Sequence, residues 1–235
     1  MGHDSHPRVI GILAGMGPRS TAPFVDMVVD ECQRQYGARY DIDFPPMLIF
    51  SLPTPFYVDR PIDHAALEAA IVAGLRKLED AGVAFVAMPC NSAHIYFEQL
   101  ASSIHVPLLN MLDVALGALP AASKTVALLA TRPTVEARIY QDAIERAGLR
   151  LLVGEVWQAR VDTLILAIKS SSNRAAASGL WHDLVADLHS AGADTLLLAC
   201  TDLNAVSATV DTHMALVDAT RCLAEATVKT WRALV

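Results

Sequence analysis

Cys90 and Cys200 are the residues best placed to do chemistry, because they stand at equivalent points of an internal repeat. The segment Ala81–Cys90 (AGVAFVAMPC) aligns without gaps on Ala191–Cys200 (AGADTLLLAC). Both segments predict a helix end, a Gly turn and a buried strand that finishes in Cys. A single cysteine at a strand end is usually an inert core residue, but two at matched positions favour a shared function.

Short polar residues follow each of these cysteines. Asn91 and Ser92 come after the first, and Thr201 and Asp202 come after the second. Such residues cap helices, and open α/β sheets bind ligands at the carboxyl ends of their strands. The N-terminus of a helix also favours the thiolate form of a neighbouring cysteine. We therefore expect two reactive thiols that face each other across one cleft.

Two opposed acid/base groups suit the inversion of a carbon stereocentre. One thiolate removes a proton from one face of the carbon while the opposite thiol delivers a proton to the other face. Because a Cα–H is a very weak acid, preorganised donors must hold the negative charge that develops. Cys32 and Cys222 lie within helical patterns and have no partner in the repeat, so we expect both to fill the core or the surface.

Candidate donors lie in two loops at corresponding points of the two halves. Gly11–Pro18 (GILAGMGP) precedes a helix that begins near Ser20, and its backbone could hold a carboxylate or a phosphate. Its glycine spacing does not match G-x-G-x-x-G and no Gly-Lys-Ser/Thr follows, which disfavours nucleotide binding. Thr131 and Thr134 supply hydroxyls in the second half, so a small anionic ligand could bridge the two loops.

A metal site is a weaker alternative for the first of these cysteines. His94 lies four residues after Cys90, which gives a C-x-x-x-H pair. No further ligand lies nearby in the sequence, so a packed or capping histidine is the favoured interpretation, and no metal is expected.

The elements that position these residues alternate in type along the chain. Short aliphatic runs alternate with Ala-rich amphipathic segments, which is typical of parallel strands joined by helices and predicts an α/β fold. The predicted strands are Val9–Ala14, Met47–Ser51, Val83–Met88, Val106–Leu109, Thr125–Ala130, Arg150–Val153, Thr195–Ala199 and Met214–Val217. The clearest predicted helices are Ala65–Ala81, Arg138–Ala147, Asp162–Lys169, Gly179–Ala191 and Ala219–Leu234, and Ser51–Asp63 is predicted as a loop.

Two further correspondences follow the same order in both halves. Ile10–Ala14 aligns on Val126–Ala130, and Val106–Asn110 aligns more weakly on Met214–Asp218. The shared order indicates duplication and predicts two pseudo-symmetric Rossmann-like subdomains with mainly parallel sheets. We place a tail at residues 1–7, the first subdomain at 8–115 and the second at 116–218, with the C-terminal helix, 219–235, packed on the first.

Composition excludes several classes of protein. The chain has 235 residues, 53% of them hydrophobic, and a formal net charge of −7, which argues against nucleic-acid or anionic-membrane partners. Its apolar runs fall far short of the roughly 18 residues that span a bilayer, and the N-terminus lacks a secretory pattern. The four cysteines form no CxxC pair, so we expect free thiols in a cytoplasmic protein.

Over nearly all of residues 8–235 the chain resembles the cofactor-independent aspartate/glutamate racemases. The resemblance is carried by Ile10–Pro18, Met88–His94 (MPCNSAH), Leu128–Thr131 and Cys200–Asp202, of which the PCNSAH string is the most specific. It implies two pseudo-symmetric subdomains with the active site between them, a homodimer, and two cysteines as the bases. It also implies racemisation of an acidic amino acid without pyridoxal phosphate.

The same resemblance assigns roles to individual residues. Asn91, Ser92 and Thr201 would bind the carboxylate or amino group of the substrate, with Met16 and Thr131 lining the pocket. Asp202 and, more weakly, Thr134 are further candidates for binding the substrate. Arg60 falls where members of the family present an Arg or Gln to the side chain, and a guanidinium could bind a distal carboxylate in two-pronged fashion. Lys169 and, more weakly, Arg160 are the other candidate cations.

The chain also departs from the family's pattern. Ala199 and Asp202 stand where many relatives have Gly and Glu, Ile165-Leu166 replaces a frequent Tyr-Glu, and Arg132-Pro133 alters the loop after the fifth strand. These departures leave the two thiols in place but bear on the choice of substrate. Aspartate is expected ahead of glutamate. The alternatives are hydantoin racemisation, maleate isomerisation or malonate decarboxylation in the same cleft, and a non-catalytic protein that binds small anions.

Overall fold

The computed structural model describes residues 8–56, 61–170, 174–207 and 212–235, and these form two compact units. Unit 1 comprises the chain up to Asn110 together with Leu223–Val235, and unit 2 comprises Met111–Cys222. The predicted tail, residues 1–7, lies outside the described residues. The predicted boundary after residue 115 falls inside a helix, Met111–Gly117, that belongs wholly to unit 2.

Unit 1 is built on a three-stranded parallel sheet in the order β2-β1-β3. The strands are β1 (Ile10–Ala14), β2 (Met47–Ser51) and β3 (Phe85–Ala87), and the helices are α1 (Thr21–Tyr36), α2 (His64–Asp80) and α3 (Phe97–Ser102). Every residue of β1 and β3 is buried, as expected for strands of a parallel sheet covered on both faces. Helix α2 packs on the sheet through Leu67, Ile71, Leu75 and Leu78, which recur at helical spacing.

Unit 2 is built on a four-stranded parallel sheet in the order β5-β4-β6-β7. Its strands are β4 (Thr125–Ala130), β5 (Arg150–Leu152), β6 (Thr195–Ala199) and β7 (Ala215–Asp218). Its helices are α4 (Met111–Gly117), α5 (Arg132–Glu136), α6 (Gln141–Arg146), α7 (Glu155–Lys169), α8 (Arg174–Ser190) and α9 (Asn204–Ser207), and α10 (Ala219–Arg232) begins here and ends in unit 1. Trp181 of α8 is buried with Leu164 of α7 and Leu196 of β6 in the core.

The register of the two sheets reproduces the internal repeat residue by residue. Ile10 pairs with Phe85 in unit 1, and the residues aligned on them, Val126 and Thr195, pair in unit 2. The expected α/β fold with parallel sheets flanked by helices is confirmed. The repeat therefore describes the pairing of strands as well as their order.

One predicted strand of unit 1 is reduced to a single bridge. Val106–Leu109 was expected as a full strand, but only Leu108 pairs, in a parallel bridge to Val86. Its counterpart in unit 2, Leu216 of β7, pairs with Leu196 in the same register, so the weakest of the three alignments holds. The shorter pairing has a local cause, because Pro107 has no backbone N–H to donate to a ladder.

Other differences concern the ends of elements. The predicted helix Arg138–Ala147 begins only at Gln141, because Arg138 has a positive φ of 55° and separates α6 from α5. The predicted helix Asp162–Lys169 is the second half of the longer α7. The described parts of the predicted loop after β2, residues 52–56 and 61–63, contain neither helix nor strand.

The end of helix α10 packs on the first elements of unit 1. The indole Nε1 of Trp231 donates to the backbone oxygen of Arg8 at 2.8 Å, and its ring lies 6.1 Å from that of Tyr36 in α1. Within the described part of the chain, no helix combines the length and the apolar character that crossing a bilayer requires.

Asp194 closes the turn that leads into β6. Its Oδ2 accepts hydrogen bonds from the backbone N–H groups of Lys124 at 2.9 Å and Thr125 at 3.0 Å, and its Oδ1 accepts one from Thr195 Oγ1. Burial acts to raise the pKa of Asp194, but these hydrogen bonds outweigh it, and the pKa lies below its ordinary value. The ionised carboxylate thus joins the starts of β4 and β6.

We predict that Asp194→Asn lowers the free energy of unfolding by about 1–2 kcal/mol at pH 7, because an amide accepts these bonds less strongly than a carboxylate. A carboxyl group whose pKa is lower in the folded chain stabilises the fold above its unfolded pKa of about 3.9, and the effect is lost as the pH falls through the folded value. Urea unfolding at pH 7 and pH 3 gives the free energy of unfolding of the variant and of the unsubstituted protein. The difference between the two proteins should be smaller at pH 3 than at pH 7. Asp183→Asn, on the exposed face of α8, is the control; an equal loss at both pH values would contradict the prediction.

Candidate active site

In each unit, the carboxyl ends of the parallel strands lie at one edge of the sheet, and both predicted catalytic cysteines lie just after such ends. In unit 1 this edge carries the loop after β1, which contains Met16, and the segment after β3, which contains Cys90. In unit 2 it carries the segment after β4, which begins at Thr131, and the one after β6, which begins at Cys200.

The loop after β1 is held by close backbone packing. Gly15 has a φ of +95°, and a Cβ atom there would lie 2.6 Å from both the backbone N and O of Leu52. Ser20 Oγ donates to the carbonyl of Gly17 at 2.7 Å, and Met16 packs half-buried against the core of unit 1. The glycines were interpreted as an anion cradle, but Gly15 is needed first for the approach of the two backbones.

A buried histidine fixes the turn that carries Cys90. The Nδ1 atom of His94 donates to the carbonyl of Cys90 at 2.8 Å, and its Nε2 atom lies 3.5 Å from the carbonyl of Leu109. The ring also stacks on Phe97, with centroids 5.7 Å apart. His94 is thus the packed histidine that the sequence favoured, and among the described residues no group of three or more His, Cys, Asp or Glu is arranged to hold a metal.

The residues after Cys90 do not form the helix cap that was expected. Asn91 is buried with helical φ and ψ, and its side chain makes no capping hydrogen bond to the helix that follows. Ser92 is half-buried and begins a short 3-10 helix, Ser92–Tyr96. Because a 3-10 turn aligns its peptide groups less well than an α-helix does, the dipole acts less strongly on the thiol than that of an α-helix would. Cys90 itself is half-buried.

Cys200 lies beside a pair of opposite charges. Its Sγ atom donates to Oδ2 of Asp202 at 3.9 Å, and the same oxygen lies 3.3 Å from Nζ of Lys169 at the end of α7. Thr201 is half-buried and begins a 3-10 helix of three residues, again too short for a strong dipole. Three of the predicted site residues, Cys200, Asp202 and Lys169, are thus brought together in unit 2.

The two predicted threonines after β4 contact each other. The hydroxyl oxygens of Thr131 and Thr134 are 2.9 Å apart, and Thr134 is fully buried while Thr131 is only half-buried. Thr131 is therefore the one whose hydroxyl is better placed to meet a ligand.

Arg160, another candidate cation, has its own partners elsewhere on α7 and α8. Arg160 forms an ion pair with Asp187 at 2.7 Å and lies over the ring of Trp157, so it joins the surfaces of α7 and α8. Arg60 lies outside the described residues.

A half-buried carboxyl group at the end of β7, Asp218, was not among the predicted site residues. Oδ1 of Asp218 accepts a hydrogen bond from the N–H of Thr220 at 2.8 Å. Oδ2 accepts one from the side-chain amide of Asn204 at 2.9 Å, in the amide orientation that gives both the nitrogen and the oxygen of Asn204 a partner. Burial raises the pKa of Asp218 more than these bonds lower it. The contact joins α9, just after the Cys200 turn, to the start of α10. Asp218 is the last residue of the third pair of aligned segments, and this position is the sequence feature that could have pointed to it.

Three comparisons show what the chain is similar to. The family model for Asp/Glu/hydantoin racemases matches residues 13–227. A broad specificity amino-acid racemase, RacX of Bacillus subtilis, is 44% identical over 225 residues, which are 96% of this chain and 99% of the relative. The fold superposes on Picrophilus torridus aspartate racemase with a TM-score of 0.81 at 26% identity, covering 96% of this chain and 94% of the other. Glutamate racemase isoform RacE1 of Bacillus anthracis shares the fold, with a TM-score of 0.65 at 12% identity over 97% and 83% of the two chains.

The packing of Gly15 against Leu52 can be tested by adding one methyl group. We predict that Gly15→Ala lowers the free energy of unfolding by about 2 kcal/mol or more, because Ala disfavours the positive φ and its Cβ meets backbone atoms that cannot move aside. Gly179→Ala is the matched control, since Gly179 lies within α8 with open space around it, and it should stabilise the protein by about 0.5–1 kcal/mol. Urea unfolding measures both; equal effects of the two substitutions would contradict the prediction.

Proposed function

Because the chain belongs to the Asp/Glu/hydantoin racemase family, we propose that it racemises amino acids without pyridoxal phosphate, using the thiols of Cys90 and Cys200. One observation carries the proposal. Cys90 follows β3 and Cys200 follows β6. Strand β3 pairs with β1 in the same register as β6 pairs with β4, so that Phe85 lies opposite Ile10 and Thr195 lies opposite Val126. The two cysteines are equivalent residues of a duplicated fold, as a reaction with two matched bases requires.

The proposed chemistry exchanges one proton for another. The thiolate of one cysteine takes the proton from Cα, so that the Cα–H bond breaks and an S–H bond forms. The electron pair is delocalised into the substrate carboxylate, and the thiol of the other cysteine then protonates Cα from the opposite face. The roles of the two sulfurs are reversed after each turnover, so the enzyme is ready for the other enantiomer.

The surroundings of the two thiols support a division of roles at the start of a turnover. The contact from Cys200 Sγ to Asp202 favours a proton on the sulfur, because an ionised carboxylate can only accept a hydrogen bond. We assign Cys200 as the initial acid and Cys90 as the initial base. Asn91 and Ser92 beside one thiol, and Thr201 and Thr131 in unit 2, are the proposed donors to the carboxylate or amino group of the substrate.

The proposed substrate is an acidic amino acid, with aspartate ahead of glutamate. Arg60 and Lys169 are the proposed partners of the side-chain carboxylate. Lys169 is the better supported within the described residues, since it lies beside Asp202 next to Cys200, whereas Arg160 is engaged with Asp187.

A wider substrate range is the second candidate. Two observations favour it: a relative that is 44% identical is a broad specificity amino-acid racemase, and Lys169 already has a carboxylate partner of its own.

Substitution of each cysteine tests the two-thiol reaction. We predict that Cys90→Ser and Cys200→Ser each lower racemisation by several orders of magnitude while the fold is retained, because a serine hydroxyl is a far weaker base than a thiolate. Each variant keeps one thiol, so each should still exchange the α-proton of one enantiomer in D₂O without inversion, and the enantiomer should differ between them. Circular dichroism follows inversion, and proton NMR follows exchange.

Cys222→Ser is the matched control for these variants, since Cys222 is also a half-buried cysteine. It should racemise as the unsubstituted protein does. Full activity of either Cys90→Ser or Cys200→Ser would eliminate the two-thiol reaction. If the unsubstituted protein exchanges the α-proton of no amino acid, a related reaction on another small carboxylate, or simple anion binding, is the better explanation.

Lys169→Met distinguishes the two candidate substrate ranges. If the protein prefers acidic amino acids, we predict that kcat/KM for aspartate and glutamate falls about 10-fold or more in this variant, because a charge-assisted hydrogen bond is lost. The values of kcat/KM for neutral amino acids should change little. A panel of L-amino acids measured with both proteins gives the comparison, and Lys229→Met on the exposed face of α10 is the control. An equal fall for all substrates would favour the wider range and a role of Lys169 near the reacting carbon.

A further inference from the structure

Two side chains of helix α7 contact the residues on either side of Thr131, namely the backbone of Ala130 and the guanidinium of Arg132. Nε2 of Gln158 donates to the carbonyl of Ala130, the last residue of β4, at 3.1 Å. The guanidinium of Arg132 donates to Oδ2 of Asp162 from Nε at 3.1 Å and from Nη2 at 2.8 Å. Residues 130 and 132 are therefore both attached to α7, and Thr131 lies between them.

Asp162 joins these two attachments into one network. Its Oδ1 accepts a hydrogen bond from Gln158 Nε2 at 2.7 Å, while its Oδ2 accepts from Arg132. Arg132 also forms a two-pronged contact with Glu155 at the start of α7, with distances of 2.8 and 3.0 Å. A network in which one carboxylate accepts from both sides restrains its members more than separate hydrogen bonds would.

The partners of Arg132 argue against a role in binding the substrate directly. The carboxylates of Glu155 and Asp162 raise its pKa further above the ordinary value, and Arg132 in turn lowers the pKa of Glu155. An anionic substrate would have to displace one of two carboxylates already bound to the fork of the guanidinium.

We propose that Arg132 is a positioning residue for racemisation: together with Gln158 and Asp162 it holds Thr131 in the orientation in which its hydroxyl contacts the substrate. This inference rests on the proposed function, since Thr131 has a role only if the protein binds and racemises an amino acid. It adds a second task for α7, whose last residue, Lys169, contacts Asp202 beside Cys200.

The exposure of the ion pairs makes the proposal testable without unfolding the protein. Arg132 is 40% exposed and Glu155 is 75% exposed, and pairs at such surfaces contribute little to stability. The strand that precedes the network is fully buried. Loss of the guanidinium should therefore change the placement of Thr131 more than it changes the fold.

The test is a double-mutant cycle on kcat and KM, measured by circular dichroism with the best amino acid of the panel. We expect Arg132→Gln to lower kcat about 100-fold, as a misplacement of about 1 Å can do, with the melting temperature nearly unchanged. In a Thr131→Val background, Arg132→Gln should cause little further loss, because its effect acts through Thr131. Arg132→Lys should recover part of the activity, since an ammonium can reach one carboxylate but not form the fork.

Arg138→Gln is the matched control, because Arg138 also contacts two carboxylates, Asp142 and Glu145, on an exposed surface. Its kcat should equal that of the unsubstituted protein. An unchanged kcat of Arg132→Gln, or the same fall with and without the Thr131 hydroxyl, would overturn the positioning role while leaving the racemase assignment intact. An unsubstituted protein that racemises nothing would overturn the proposed function, and this inference with it.

Discussion

The parallel pairing of β1 with β3 and of β4 with β6 is the constraint on which the placement of Cys90 and of Cys200 depends. It places the carboxyl ends of paired strands at one edge of each sheet, so that the loop after one strand lies beside the segment after its neighbour. A slip of one residue in either pair would turn buried side chains to the opposite face. Because β1, β3, β4 and β6 are buried along their whole length, such a slip is unfavourable, and the positions of Cys90 and Cys200 follow from the register.

Different forces hold the two equivalent edges. In unit 1 the anchors involve no ion pair between side chains: the backbone of Gly15 lies against that of Leu52, and His94 donates to the carbonyl of Cys90. In unit 2 the anchors are ionised, with Arg132 bound by two carboxylates and Lys169 bound by Asp202. The first edge is thus sensitive to changes of side-chain volume, and the second is sensitive to changes of charge. The duplicated fold has kept the strand register while its loops have diverged.

The sequence was sufficient to predict what depends on local pattern and on the repeat. Met47–Ser51, Thr125–Ala130 and Thr195–Ala199 are strands with the predicted bounds, and the alignment of the halves anticipates their pairing. The caps assigned to Asn91 and Thr201 were wrong, because the helices that follow begin as 3-10 turns whose geometry no short motif specifies. The network of Arg132, Gln158 and Asp162 could not be foreseen either, since it depends on how α7 lies against the end of β4, a tertiary contact without a sequence signature.

The charges at the edge of unit 2 bear on how a substrate would be held there. Arg132 and Lys169 face three carboxylates, Glu155, Asp162 and Asp202, so the cations of this group are already neutralised by the protein. Under the proposed function, a substrate carboxylate bound beside them would draw its stabilisation chiefly from hydroxyl and backbone N–H donors, which cost no displaced ion pair. Such donors act on the part that all amino acids share, the α-carboxylate next to the reacting carbon. Under the proposed function, the ion pair of Lys169 with Asp202 is the candidate, within the described residues, for exchange with an incoming side-chain carboxylate.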